Sequence, residues 1–289
     1  MFKGSFVALI TPFENGRVDE DALRRLVNWH IDNGTDGLVP MGTTGESSTV
    51  SHDEHKLVVR IVIEETAGRI PVIAGAGSNN PVEALEHAKH AEKLGADAVL
   101  CVAGYYNRPS QEGLFQHFRY VHDASNIPIL IYNIPPRAIV DISPETMAQI
   151  AALPRVIGVK DATQDLSRTS REQQLIKKEF SYLSGEDMTA VAYNAQGGNG
   201  CISVTANVAP ALCAQMQAAC LRGDYQTALK IHRQLMPLHD ALFRQPSPSG
   251  VKYAASVLGL CSDEVRLPIL QADEPVKVAI QEALDALTI

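Results

Sequence analysis

Short apolar runs alternate along the chain with longer stretches of helical period. The first run covers 6–10. A helical pattern follows over 19–33, with Leu23, Leu26, Val27 and His30 on one face and Gly34 closing it. The next run is 37–41. Ser51, with Glu54 three residues on, has the capping-box form that opens a helix. The unit then recurs. Strands are expected at 71–74, 98–102, 128–132, 156–160, 182–184 and 201–205, and helices at 81–94, 111–124, 144–153, 166–180, 188–195 and 210–221. Strands of nearly continuous Val, Ile and Leu indicate a parallel sheet covered on both faces. Eight strand–helix units are the number that closes a TIM barrel. A doubly wound open sheet is the alternative, but no GxGxxG follows the first strand, and Gly75-Ala76-Gly77 is too short for a nucleotide loop. Three further helical patterns, at 225–243, 250–258 and 275–287, lie beyond the barrel. The expected architecture is therefore an α/β chain: a (β/α)8 TIM barrel over 1–223, carrying the catalytic site, and a C-terminal helical subdomain over 224–289.

Composition narrows the partners. The 289 residues are 45% hydrophobic, ample for one large core. The formal net charge is -8, with no Lys/Arg-rich block, which argues against a nucleic-acid partner. The five cysteines are scattered and form no CxxC pair, so reduced, buried thiols are expected and not a disulfide or zinc framework. Residues 1–5 do not lead into a signal peptide, and no stretch of 18 apolar residues occurs, so no membrane contact and a cytoplasmic location are expected.

In a barrel of this kind chemistry sits where strands end and the following loops begin. Lys160 ends the apolar run 156–159, which places its amine at the inner mouth. An ammonium there loses hydration, a cost that favours the neutral amine, the form that attacks a ketone and makes an iminium electron sink. An ion pair with Asp161 or another carboxylate is the equally open alternative. Tyr132 ends the preceding strand, so its phenol can either shuttle protons to a group on Lys160 or simply cap the core. Thr43 and Thr44, flanked by glycines, suit a hydroxyl relay or a carboxylate cradle, or ordinary turn chemistry. Arg137 suits bidentate capture of a carboxylate, or a surface salt bridge. His52 with His55, and His87 with His90, are each three apart on helical patterns. They read as helix-surface histidines, and no metal site is expected.

Taken in order, several segments resemble the dihydrodipicolinate synthase family, within the N-acetylneuraminate lyase group of Schiff-base aldolases. They are Gly42-Thr43-Thr44-Gly45-Glu46-Ser47, Pro71-Val72-Ile73-Ala74-Gly75, Tyr105-Tyr106-Asn107-Arg108-Pro109-Ser110-Gln111-Glu112-Gly113, Tyr132-Asn133-Ile134-Pro135, Ser203-Val204-Thr205-Ala206-Asn207-Val208 and Leu235-Met236-Pro237-Leu238-His239. The resemblance implies that Lys160 forms an imine with pyruvate and that Tyr132 exchanges protons with it. It implies that Thr44 and Tyr106 complete a relay, Tyr106 coming from a neighbouring subunit. Thr43 would hold the pyruvate carboxylate, Arg137 the carboxylate of L-aspartate 4-semialdehyde, and the backbone carbonyls of Gly185 and Ile202 would line the site. The implied product is 4-hydroxy-tetrahydrodipicolinate, on the route to diaminopimelate and lysine. No cofactor beyond the substrate imine is implied, and the implied assembly is a homotetramer built from two tight dimers. Lysine as an inhibitor is implied at Ser47, His52, His55, Asn79, Glu83 and Tyr105. Ala103-Gly104, and Pro136 and Ala138 beside Arg137, depart from the family's usual residues and bear on the aldehyde side. A sister aldolase acting on another pyruvate adduct, or a relative that binds a keto acid without turning it over, are the competing readings.

Overall fold

In the computed structural model, which describes residues 1–287, the apolar runs become eight parallel strands. They are β1 (Gly4–Ala8), β2 (Gly37–Val39), β3 (Ile73–Gly75), β4 (Ala98–Val102), β5 (Ile129–Asn133), β6 (Val156–Asp161), β7 (Ser181–Ser184) and β8 (Gly200–Ser203). The sheet runs β2-β1-β8-β7-β6-β5-β4-β3, and a parallel bridge between Leu38 and Val72 joins its two ends. This is the closed (β/α)8 barrel that the pattern implies.

Strand alternation divides the apolar residues into two cores. Phe6, Ala8, Val39, Ile73, Leu100, Leu130, Leu183 and Ile202 point inward and fill the barrel. Val7, Leu38, Ala74, Val99, Cys101, Ile129, Ile131 and Val159 point outward against the helices. Phe6 is fully buried, a burial that contributes about 1.5–3 kcal/mol.

Eight helices follow the eight strands: α1 (Glu20–Asp32), α2 (His52–Thr66), α3 (Pro81–Leu94), α4 (Gln111–Ala124), α5 (Pro144–Ala151), α6 (Arg168–Leu175), α7 (Ala190–Ala195) and α8 (Pro210–Leu221). Their starts are written locally. Ser51 caps α2 and Glu54 reaches back to the Ser51 amide at 2.9 Å, completing the capping box. Asn80 caps α3, Pro81 opens it and Gly95 ends it in the left-handed region. Of three more helices, α9 (Tyr225–Leu242), α10 (Ser249–Val257) and α11 (Glu274–Ala286), the first packs on α8 and the three pack on one another.

Several elements end earlier than the pattern indicates: β1, β2 and α5 each stop two residues short, and two further cases have a visible cause. The helix expected over 166–180 is confined to α6. From Ile176 the backbone is extended, because Lys178 Nζ is drawn to the carbonyls of Leu153 and Val156 and Ile176 and Phe180 are buried. The eighth strand stops at Ser203. There the Asp187 carboxylate accepts from the Ser203 hydroxyl and from the amides of Val204 (2.8 Å) and Thr205 (3.2 Å), pulling the chain into a 3-10 turn. Four cysteines are buried and Cys261 is half-buried, and none is in a disulfide. Among the described residues no helix is long and apolar enough to cross a membrane.

Candidate active site

The register of β5 and β6 builds the site. Tyr132 pairs with Lys160, and Lys160 pairs with Leu183 of β7. Lys160 therefore shares the inward side with Leu183 and Tyr132, whereas Asp161, one residue on, faces outward. This settles the ion-pair alternative by geometry: among the described residues Lys160 makes no salt bridge, and Asp161 instead accepts the Thr163 amide at 2.9 Å. Lys160 is only 5% exposed, and its Nζ stands 4.3 Å from the centre of the Tyr132 ring. This placement brings the Tyr132 phenol within reach of a group on Nζ.

A cavity of about 170 Å³ opens above this pair, lined by Thr43, Thr44, Tyr132, Arg137, Lys160 and Gly185 among others. A second lobe of about 290 Å³ shares Thr43, Tyr132 and Arg137 and extends toward Ser47 and Tyr105. Arg137 sits on a four-residue helical turn, Pro135–Ala138, which the pattern did not reveal. It is exposed at the mouth and forms no ion pair among the described residues, so its guanidinium stays available to a ligand. Glu186 and Val204, which stand at strand ends where chemistry is expected, also line the smaller lobe, together with Gln164, Ser247 and Phe243, which the sequence did not single out. Gln164 follows the end of β6 closely enough to have been found by position. Ser247 and Phe243 come from the C-terminal helices, and no local signal points to them.

Two sequence-derived residues are not brought to the cavity. Tyr106 is 89% exposed, on a loop where it takes a φ of +68°. Ile202 is buried in the barrel interior, paired with Phe6 below the mouth.

Three polar networks hold the strand ends and loops that carry the site. Behind β5 and β6, Asn133 donates to Asp141 at 2.8 Å, and Arg168 grips Asp141 through both oxygens at 2.9 Å and Glu172 at 2.9 Å. Burial pushes the Glu172 carboxyl up to about 7 and also raises that of Asp161. Under the threonine loop, Thr11 Oγ1 donates to the Gly45 carbonyl at 2.7 Å, and buried Glu46 accepts from Lys252 Nζ at 2.7 Å and from the Arg266 amide at 2.9 Å. Lys252 and Arg266 also lie 4.0 and 4.2 Å from the centre of the Phe13 ring. At β8, His239 Nδ1 lies 2.7 Å from Thr205 Oγ1.

The histidines correct the surface expectation. His55 and His87 are buried between α2 and α3, with ring centres 3.9 Å apart and stacked. The reason is that α2 and α3 pack directly on each other and these positions fall on the shared side. Burial, the largest cause, lowers His55 to about 3 and also lowers His87. His52 stays exposed at the start of α2, with Nε2 2.6 Å from Glu83 Oε1. Of the remaining residues in the lysine-associated set, Ser47 and Tyr105 line the larger lobe, and the Asn79 carbonyl accepts from Asn107 at 3.0 Å.

Residues 1–287 match the model of the dihydrodipicolinate synthetase family. A 4-hydroxy-tetrahydrodipicolinate synthase from Parvibaculum lavamentivorans is 61% identical over 287 residues, covering 99% of this chain and 98% of the relative. A dihydrodipicolinate synthase from Acinetobacter baumannii, solved in complex with pyruvate, superposes with a TM-score of 0.96 at 40% identity, covering 99% of each chain. The enzyme from Cyanidioschyzon merolae, solved with lysine bound, gives a TM-score of 0.95 at 33% identity, covering 99% of this chain and 98% of that one. With the model matched from end to end of the described residues, the chain belongs to the dihydrodipicolinate synthetase family.

Proposed function

We propose that the chain is a lyase that condenses pyruvate with L-aspartate 4-semialdehyde to 4-hydroxy-tetrahydrodipicolinate, releasing water. The observation that carries this reading is the inward Lys160, without an ion pair among the described residues, over Tyr132 and beneath a cavity that also presents Arg137. The neutral Lys160 amine adds to C2 of pyruvate and water leaves, giving an imine. Loss of a C3 proton forms the enamine, with Tyr132 as the proton carrier and Thr44 behind it. The enamine carbon attacks the aldehyde carbon of the second substrate. That substrate's own amine then attacks C2, the ring closes, and Lys160 leaves. The protonated imine is itself the electron sink, so the chemistry calls for no separate cofactor.

Charge in the cavity fits the second substrate. Arg137 offers a bidentate partner for its carboxylate. Glu186, whose carboxylate accepts from Gln164 at 3.2 Å, offers a negative partner for its ammonium on the same wall. Thr43 and the Gly185 carbonyl fit the pyruvate carboxylate and the reacting centre respectively, and Ile202 would contribute through its backbone. The exposure of Tyr106 fits a residue that completes the site of a second copy, in a dimer or a tetramer of dimers.

The test is turnover of pyruvate plus L-aspartate 4-semialdehyde in a coupled reductase assay, for the parent protein and Lys160→Ala. Turnover that vanishes in the variant supports the reading. Borohydride-trapped pyruvate without turnover points to a sister aldolase with another acceptor, and no trapped adduct overturns the Schiff base.

A second reading concerns control by lysine. The His52–Glu83 pair presents a carboxylate to an ammonium, with Ser47 and Tyr105 lining the larger lobe and His55 and Asn79 completing the set. Inhibition by millimolar lysine that is lost in Glu83→Gln supports it, and a flat curve overturns it.

A further inference from the structure

One cluster on the outside of the barrel has a geometry that the condensation does not use. Glu83 and His87 are four residues apart on α3, so both side chains leave the same face of that helix. His52 opens the neighbouring α2. One ligand atom from each of the three lies within 4.8 Å of the others. Two imidazoles and a carboxylate are a donor set that divalent transition metals take. Ligands around a tetrahedral zinc ion stand roughly 3.4 Å apart, so small side-chain rotations close the set.

Two observations beyond spacing point to a ligand. His87 is only 7% exposed, and its Nδ1 has no hydrogen-bond partner among the described residues. A buried ring nitrogen left unpaired is costly, and the packing that buries the ring also fixes its place beside His52 and Glu83. Independently, the Ser78 hydroxyl donates to Glu83 Oε2, leaving Oε1 turned to His52. Such an outer hydrogen bond is the device that orients a ligating carboxylate. The stacked His55 ring holds the plane of His87.

We propose that His52, Glu83 and His87 form a binding site for a divalent transition-metal ion of the zinc type, with water completing the coordination on the exposed side of His52. The ion takes the place of the hydrogen between His52 and Glu83: His52 ligates through Nε2 and its ring proton shifts to Nδ1. The site bridges α2 and α3 and is independent of the Schiff-base reading. Because it uses His52 and Glu83, metal and an ammonium ligand would exclude each other there, and each would weaken the other by the same factor.

The test is titration of untagged, metal-free, lysine-free protein with Co2+, followed by visible absorption, and then displacement by Zn2+. One Co2+ per chain is expected, fully displaced by Zn2+. His52→Ala and Glu83→Gln should each weaken binding by at least about tenfold, and Ser78→Ala by about tenfold. His90→Ala, on the same helix but bonded to the Lys56 carbonyl, should leave affinity unchanged. His87→Leu tests the third ligand, and exposed His52 keeps the experiment decisive if that buried change perturbs folding. Absence of saturable Co2+ binding overturns the proposal, as does equal affinity in the parent, His52→Ala and Glu83→Gln.

Discussion

Replacing Gly185 by alanine tests whether the wall beside Lys160 sets the position of its amine. Gly185 follows β7, and its amide donates to the Asp161 carbonyl at 2.6 Å. An added Cβ would stand 2.9 Å from Ala162 Cβ, 3.1 Å from Lys160 Cε and 3.3 Å from the Asp161 carbonyl oxygen. Carbon atoms pack best at about 3.5–4.0 Å, so something must retreat by roughly 0.4–1 Å. Ala162 is tied to β5 through its amide, which donates to the Asn133 carbonyl at 2.9 Å. The Lys160 chain is the part free to move, and the amine moves with it. Overpacking of this size costs about 1–3 kcal/mol, and misplacing a reacting group by about 1 Å costs about a hundredfold in rate. Gly185→Ala should therefore fold, less stable by about 1–3 kcal/mol, and form the borohydride-trapped pyruvate adduct about 10–100 times more slowly. The assay is the time course of trapping by mass spectrometry, beside thermal unfolding of the same preparation. Adduct formation at the parental rate would show that the lysine is not held by this wall.

Three further expectations follow from other parts of the molecule. Arg137→Leu should raise KM for the semialdehyde about 10–100-fold, the loss of a charge-assisted contact, with KM for pyruvate nearly unchanged; a rise confined to pyruvate would reverse the assignment of the two carboxylates. Lys252→Met leaves Glu46 buried without its cation and should cost about 3–5 kcal/mol in urea unfolding, with much of the loss recovered when Glu46→Gln is added; a neutral single variant would contradict the pairing. His30 is fully buried and held at about 3 by burial, below the ordinary value of 6.5, so between those values the unfolded chain binds a proton that the folded chain refuses. Stability should therefore fall as pH drops from 6.5 toward 3, at up to about 1.4 kcal/mol per pH unit for this group, and His30→Leu should flatten that slope; parallel curves for the two proteins would refute it.

Most of the barrel was legible because its signals are local. The helices Pro81–Leu94, Gln111–Ala124 and Pro210–Leu221 begin and end where Asn, Ser, Pro and Gly stand in the sequence. The departures have non-local causes: Lys178 reaching the carbonyls of Leu153 and Val156, and Asp187 capturing the end of β8. One local signal was missed. Asn15-Gly16, both at positive φ, turn a hairpin between Phe13–Glu14 and Arg17–Val18, and Asn-Gly is the standard residue pair for that turn. At the site, strand parity placed Lys160 and Tyr132 correctly, because a one-residue shift would put Asp161 inside instead. Burial of His55 and His87 was not legible, because a histidine on a helix carries no mark of whether another helix covers it. The partners of Glu46 were invisible for the same reason, lying far along the chain.

That distance has a consequence during synthesis. Glu46 meets Lys252 across 206 positions and the Arg266 amide across 220. At roughly 5–20 residues per second, a ribosome reaches Lys252 some 10–40 s after completing the threonine loop. Until then Glu46 lacks the Lys252 ammonium and the Arg266 amide that receive it in the folded chain. The nascent barrel can align its first strands in this interval, yet its mouth acquires its final shape only when the last helices emerge.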